Sequence, residues 1–193
     1  MAELYEIFKE FEKIGKILYP HLNNSHSGNL SVRDNNNLII TRTGSMSTYL
    51  TISSLVKVAI NGPTQEDKLA SSELPLHRAV YQKTNWDAIV HTHPPTLIAL
   101  SLLKDKFTPI DEEGKFYNKE GIKIVSAIET IGSEEIAQKI SEELKNSQAV
   151  LLKGHGIFAG GKTLEDAAKM ISSSEHSALI YLRYLQFKKC MTY

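Results

Sequence analysis

Asp87-Ala-Ile-Val-His91-Thr92-His93-Pro94-Pro95, with the apolar run that follows it to Leu103, is where the fold is most legible. Ala88-Ile89-Val90 has the length and apolar character of a buried strand. Pro94-Pro95 then starts a helix through Leu103, because proline in a first turn lacks only a donor that has no partner there anyway. A strand that runs directly into a helix is the building unit of a layered α/β chain. Along a strand, side chains two apart project from one face, so His91 and His93 present both imidazoles together at the strand end, as chelation requires. By itself the pair fits equally well with one core histidine and one surface histidine.

Upstream, Leu4, Ile7, Phe8, Phe11, Ile14 and Leu18 recur at helical spacing and predict an amphipathic helix that stops near Pro20. Turn formers fill residues 21–28, and a hairpin follows over 29–33 and 37–41 around Asp34-Asn35-Asn36. A strand over 56–60 closes on Asn61-Gly62, where both positions tolerate positive φ. Ser72 caps a helix to about Lys83, with Pro75 in its first turn. Downstream, strands are expected over 122–127, 149–153 and 157–159, and helices over 133–145 and from a Thr163 cap to about Phe187. Strands and helices interleave without repeat or linker. Residues 1–193 therefore read as a single α/β domain, a central and mostly antiparallel sheet flanked by helices.

The 193 residues, 21.6 kDa in all, are enough for one substantial core and do not require a second. Twenty-two basic residues balance 22 acidic ones, which excludes a global positive field for nucleic acid or an anionic membrane surface. Any anion must be held by local groups. The start, Met1-Ala-Glu-Leu-Tyr-Glu6, is acidic and amphipathic, unlike a signal peptide, and no apolar run approaches the ~20 residues of a membrane span. A cytoplasmic protein is expected. Cys190 is the single cysteine, so there is no internal disulfide and no Cys-rich metal site, and a metal must be bound by histidine and carboxylate.

His155 offers a third imidazole, in a Gly154-His155-Gly156 turn that aims it from one strand end toward another. Three histidines leave a coordination position open, which is the catalytic arrangement of zinc. Glu73, at the start of a helix whose dipole favours the carboxylate, is the candidate acid/base; a first-turn glutamate also supports a helix with no other duty. Ser27-Gly28-Asn29, Thr43-Gly44-Ser45 and Ser71-Ser72 offer hydroxyls and free backbone donors that together suit a phosphate without net positive charge. Singly, each is ordinary turn and cap chemistry. His77 is expected to pack beneath the site, His21, His26 and His176 to be surface or interface residues, and Tyr181, Tyr184 and Phe187 to form a packing face or subunit contact.

In order along the chain, Gly28-Asn29-Leu-Ser-Val32, Thr43-Gly44, Ser71-Ser72-Glu73 with Leu76-His77, His91-Thr92-His93-Pro94 and Gly154-His155-Gly156 resemble the class II aldolase/adducin family. The resemblance covers nearly the whole chain. It implies an α/β fold with a central antiparallel sheet, usually assembled as a fourfold cyclic tetramer with active sites near subunit interfaces. It also implies one Zn2+ per subunit on His91, His93 and His155, Glu73 as acid/base and resting ligand, and a phosphate held by Gly28, Asn29, Thr43, Gly44, Ser71 and Ser72. The implied reaction is that of a sugar-phosphate aldolase, cleaving a ketose 1-phosphate to dihydroxyacetone phosphate and an aldehyde through a zinc-bound enediolate.

The chain departs from the family pattern in two places. The tyrosine that bacterial relatives carry after the HxH helix and lend to a neighbouring site has no matching position, although Tyr117 is nearby. The longer C-terminal tail of many relatives has no counterpart before Tyr193. Other chemistries of the family fit less well. Its ribulose-phosphate 4-epimerases usually carry aspartate in place of Glu73, and its methylthioribulose-1-phosphate dehydratases use an extra glutamate whose segment is not recognisable around Glu112-Glu113. A non-catalytic adducin-like module would be expected to lose ligands that are all present here.

Overall fold

A computed structural model describes residues 2–18, 22 and 24–191. Pro20, His21 and Tyr193, each part of an expectation above, lie outside the described residues. The elements in chain order are α1 (Ala2–Leu18), β1 (Asn29–Asp34), β2 (Asn37–Thr41), β3 (Leu55–Ala59), α2 (Leu74–Lys83), β4 (Ala88–Thr92), α3 (Pro95–Ser101), β5 (Lys106–Phe107), α4 (Glu112–Tyr117), β6 (Ile122–Val125), α5 (Glu134–Glu143), β7 (Ala149–Leu152), β8 (Gly156–Gly161) and α6 (Leu164–Cys190). Short 3-10 turns occupy Ser47–Tyr49, Ile52–Ser54 and Gln65–Leu69.

The strands form one 8-stranded sheet in the order β3-β2-β1-β4-β8-β7-β6-β5. Every neighbouring pair is antiparallel except β6 with β7, as the mixed, mostly antiparallel reading expects. The alternation of side chains builds a layer on each face. On one face Phe11 and Ile14 of α1, Leu97 of α3 and Ile171 of α6 cover Leu30, Val90, Leu151 and Ile157. On the other, Leu76 and Val80 of α2 and Ile136 and Ile140 of α5 cover Ile40, Ile89, Val150 and Phe158. Burial of each such side chain is worth roughly 1.5–3 kcal/mol. All five residues of β4 are buried, so this strand has no solvent face.

Register decides what the sheet can present. Asn29 of β1 is paired with His91 of β4, and His91 with Phe158 of β8, so these residues form one row across the centre of the sheet.

Several boundaries differ from the sequence expectations. α2 starts at Leu74, and Glu73, not Ser72, occupies its cap position, with φ −83°, ψ 7° and no side-chain cap bond. A turn in which Leu74 N donates to Ser71 O (3.0 Å) keeps residues 71–73 out of the helix. α3 ends at Ser101, short of Leu103, and the strand expected over 122–127 stops at Val125. β8 runs from Gly156 to Gly161, longer than expected because Gly160 continues the strand beneath Trp86; a Cβ there would lie 2.5 Å from the indole. The two-residue β5 and the six-residue α4 were too short for periodicity to register.

Candidate metal centre and anion pocket

Among the described residues, His91, His93 and His155 form a group whose ligand atoms all lie within 4.8 Å of one another. His91, on β4, lies with its ring stacked on Phe158 at a centroid distance of 3.8 Å. Its Nδ1 is 2.9 Å from the Ile157 carbonyl and donates to it, so the Nε2 lone pair is left for the site. His93 lies just past the strand end and brings its Nε2 to 2.8 Å from that of His91; the Nε2 of His155 is 3.2 Å away. Ligand nitrogens around a tetrahedral zinc with Zn–N near 2.1 Å are separated by roughly 3.4 Å. Nitrogens at this spacing could all be ligands of one cation.

The glycines beside His155 make the convergence possible. Gly154 has φ +71°, and its N–H donates to the buried Ser101 hydroxyl (2.9 Å), tying the turn to the end of α3. At Gly156 a Cβ would collide with the Thr92 carbonyl oxygen and lie 2.7 Å from His93 Cδ2 and 2.9 Å from His91 Cε1. Burial keeps all three imidazoles neutral: His93 is pushed down to about 4, His91 well below the usual histidine range, and His155 is lowered too. Neutral imidazole is the metal-binding form. The donor set, its orientation and its protonation state all fit a divalent ion.

Glu73 lies beside this group, only 3% exposed. The N–H of Gly132 donates to its carboxylate, while Oε2 has no hydrogen-bond partner. The sequence suggested that the helix dipole would favour the charged form; the structure reverses the sign, because burial pushes the carboxyl up to about 7. A carboxyl poised near neutrality can both give and take a proton.

A cavity of about 210 Å³ is lined by Glu73, the three histidines and every residue expected to hold phosphate: Gly28, Asn29, Thr43, Gly44, Ser71 and Ser72. Asn29 belongs to a buried chain in which Tyr81 Oη meets Ser31 Oγ (2.7 Å), Ser31 Oγ meets His77 Nδ1 (2.6 Å), and His77 Nε2 meets Asn29 Oδ1 (2.6 Å). His77 thus packs beneath the site as expected. With its carbonyl occupied by His77, Asn29 has its NH2 donor left to offer the cavity. The sequence reading missed Arg42 and Ile131, which line the cavity, and Gly132, whose N–H reaches Glu73; His26 is exposed but belongs to the cavity rim. Only Arg42 carried a visible signal, as a cation immediately before Thr43-Gly44.

The family description "Class II Aldolase and Adducin N-terminal domain" matches residues 9–182. The chain belongs to this family. Among class II aldolases it is similar to the L-fuculose phosphate aldolase of Escherichia coli K12, with 34% identity over 85% of this chain and 76% of that protein. It is also similar to that of Methanocaldococcus jannaschii, with 31% identity over 94% of this chain and 98% of the relative. The crystal structure of the Thermus thermophilus l-fuculose-1-phosphate aldolase superposes with a TM-score of 0.91 at 33% identity, covering 98% of this chain and 97% of that one. These matches bear out the resemblance to the class II aldolases, and to the fuculose phosphate aldolases within them, and support an aldolase, a carbon–carbon lyase. They also bear out the layered α/β fold.

Other residues singled out in this class II aldolase lie away from the cavity. Tyr117 packs against the α1/α6 layer with Lys169 over its ring. Glu112 and Glu113 are exposed on the first turn of α4, and His176 is exposed on α6. Tyr181 packs against Phe107, whereas Tyr184 and Phe187 are exposed. No described helix is long and apolar enough to cross a membrane.

Proposed function

We propose that the chain is a zinc-dependent aldolase that cleaves a ketose 1-phosphate of the fuculose-1-phosphate type to dihydroxyacetone phosphate and an aldehyde. The observation that carries this reading is the meeting of three neutral imidazoles, a buried carboxyl poised near pH 7 and a cradle of hydroxyl and amide donors in one small cavity. His91, His93 and His155 would hold Zn2+, which when bound supplies Lewis acidity to the substrate carbonyl. Gly28, Asn29, Thr43, Gly44, Ser71 and Ser72 would bind the phosphate, with the His77 relay fixing the amide of Asn29. Cleavage breaks the bond between C3 and C4. The C4 hydroxyl gives its proton to solvent water as it becomes the aldehyde carbonyl, and Glu73 in its protonated form delivers a proton to C3 of the enediolate and is reprotonated from solvent, so that no net proton is gained or lost. In the reverse direction the Glu73 carboxylate removes the C3 proton.

By the same reading the protein acts in the cytoplasm as a single domain, assembled as a homotetramer. Light scattering at micromolar concentration tests the assembly. The reaction is tested by following dihydroxyacetone phosphate release from L-fuculose 1-phosphate by zinc-loaded protein, with rhamnulose, ribulose and methylthioribulose phosphates in parallel. Release that stops on chelation and returns with zinc supports the proposal; no release from any of these esters sinks it.

A further inference from the structure

The cavity contains one permanent cation that the reading above does not use. Arg42 follows β2 directly and keeps the parity of Leu38 and Ile40, which face the α2 side of the sheet. An isolated antiparallel bridge sets it opposite Ala70, next to Ser71-Ser72. Its backbone is fixed at both ends: its N–H donates to Ser54 O (2.9 Å), and its carbonyl accepts from Ser45 N (3.2 Å). Its Nε is buried and has no hydrogen-bond partner.

The other arginines are all engaged. Arg33 donates to the carbonyls of Tyr81, Thr84 and Trp86, Arg78 grips Asp67 with two bonds of 2.6 and 2.8 Å, and Arg183 reaches Gln186. Among the described residues no carboxylate pairs with Arg42, and Glu73, the one carboxylate lining its cavity, makes no bond to it. A buried donor without an acceptor is unfavourable, and native structures rarely keep one without cause.

We infer that the missing acceptor is the dianion of a phosphate monoester and that Arg42 supplies the charge by which this site distinguishes a phosphorylated sugar from its neutral counterpart. This deepens the proposed function and rests on it for the identity of the ester. The hydroxyls of Thr43, Ser71 and Ser72 and the amide of Asn29 donate single, uncharged bonds that orient a phosphate. A guanidinium adds a full charge and a planar fork matched to two phosphate oxygens, which neither hydroxyls nor a lysine reproduce.

Equilibrium binding of inorganic phosphate to the zinc-loaded protein, followed by calorimetry, tests the inference without turnover. Arg42→Gln and Arg42→Met are expected to weaken phosphate binding about 10- to 100-fold, the range for hydrogen bonds to charged groups. Both should retain the zinc content and circular dichroism of the parent. Arg42→Lys should fall between parent and neutral variants. In turnover, KM for the ketose phosphate should rise with kcat within about threefold, and the preference for the phosphorylated over the free ketose should shrink by the same factor as the affinity. Phosphate affinity within twofold of the parent, in either neutral variant that folds and holds zinc, overturns the inference. Absence of cleavage with any ester would sink the aldolase reading while the phosphate titration still decides the role of Arg42.

Discussion

At the scale of single residues, Glu73 sets the sharpest expectations. Glu73→Gln should keep zinc and fold yet lose on the order of 100-fold or more of the cleavage rate, because proton transfer by a placed side chain contributes about that much. Undiminished release of dihydroxyacetone phosphate would remove Glu73 from the chemistry. Its titration is also readable without turnover. The folded protein holds this proton up to about pH 7, above the ordinary 4.5, so the stability Glu73 contributes is complete below 4.5 and is lost as pH rises through 7. In metal-free protein the loss is on the order of 3 kcal/mol. Because the buried histidines respond to pH in the opposite sense, the Glu73 contribution is read as the difference in urea midpoint between parent and Glu73→Gln from pH 4 to 9, which should shrink as pH rises through 7. Gly156→Ala presses on two imidazoles and a carbonyl, and is expected to lower zinc affinity at least tenfold by displacing His91 and His93, as metal titration against a chromophoric chelator would report. The three histidines were readable from the sequence because their residue type and spacing announce the chemistry. Arg42 stood out in the sequence only as a cation beside Thr43-Gly44; the missing partner that gives it meaning appears only in three dimensions.

At the scale of elements, α3 shows how a distant segment steadies the histidine cluster. Pro94 and Pro95 have no N–H, so the first free donors after His93 are those of Thr96 and Leu97. Both donate, at 2.9 Å, to the buried carboxylate of Glu175 on α6. Glu175→Ala leaves the buried donor of Leu97 unpaired, at about 1–3 kcal/mol, and frees the half-buried donor of Thr96 at a smaller cost. Its thermal midpoint should fall by several degrees, with Glu175→Gln milder because one acceptor survives; equal midpoints for parent and Glu175→Ala would rule out the contact. Nothing in the sequence links Glu175 to Thr96, since the pairing crosses 79 positions. Local patterns read better. The β1–β2 hairpin, the Thr163 cap and the amphipathic α1 all lie where periodicity and capping chemistry put them. The start of α2 was misplaced by a turn that competes with the helix, and β8 was cut short because its glycines signal breakage in a sequence but make room for a tryptophan ring in the sheet.

At the scale of the molecule, the buried imidazoles oppose Glu73 in their response to pH. His77 is pushed down to about 3 and His93 to about 4, and His91 and His155 are lowered as well. The unfolded chain takes up these protons first, so their contribution is intact above 6.5 and is lost as pH falls through the folded values. Metal-free protein should therefore lose stability between pH 6.5 and 4, and a substitution at His77 should flatten that slope in a denaturant series.

The strand order carries one more implication. β1 to β4 form one half of the sheet and β5 to β8 the other, and the halves touch edge to edge only where β4 meets β8. His91 and His93 stand on one side of that seam and His155 on the other. An ion seated between them would therefore rivet together two pieces of chain that come off the ribosome one after the other. On chelation, amide exchange should quicken along residues 88–92 and 156–161 while the outer β2–β3 pair keeps its protection.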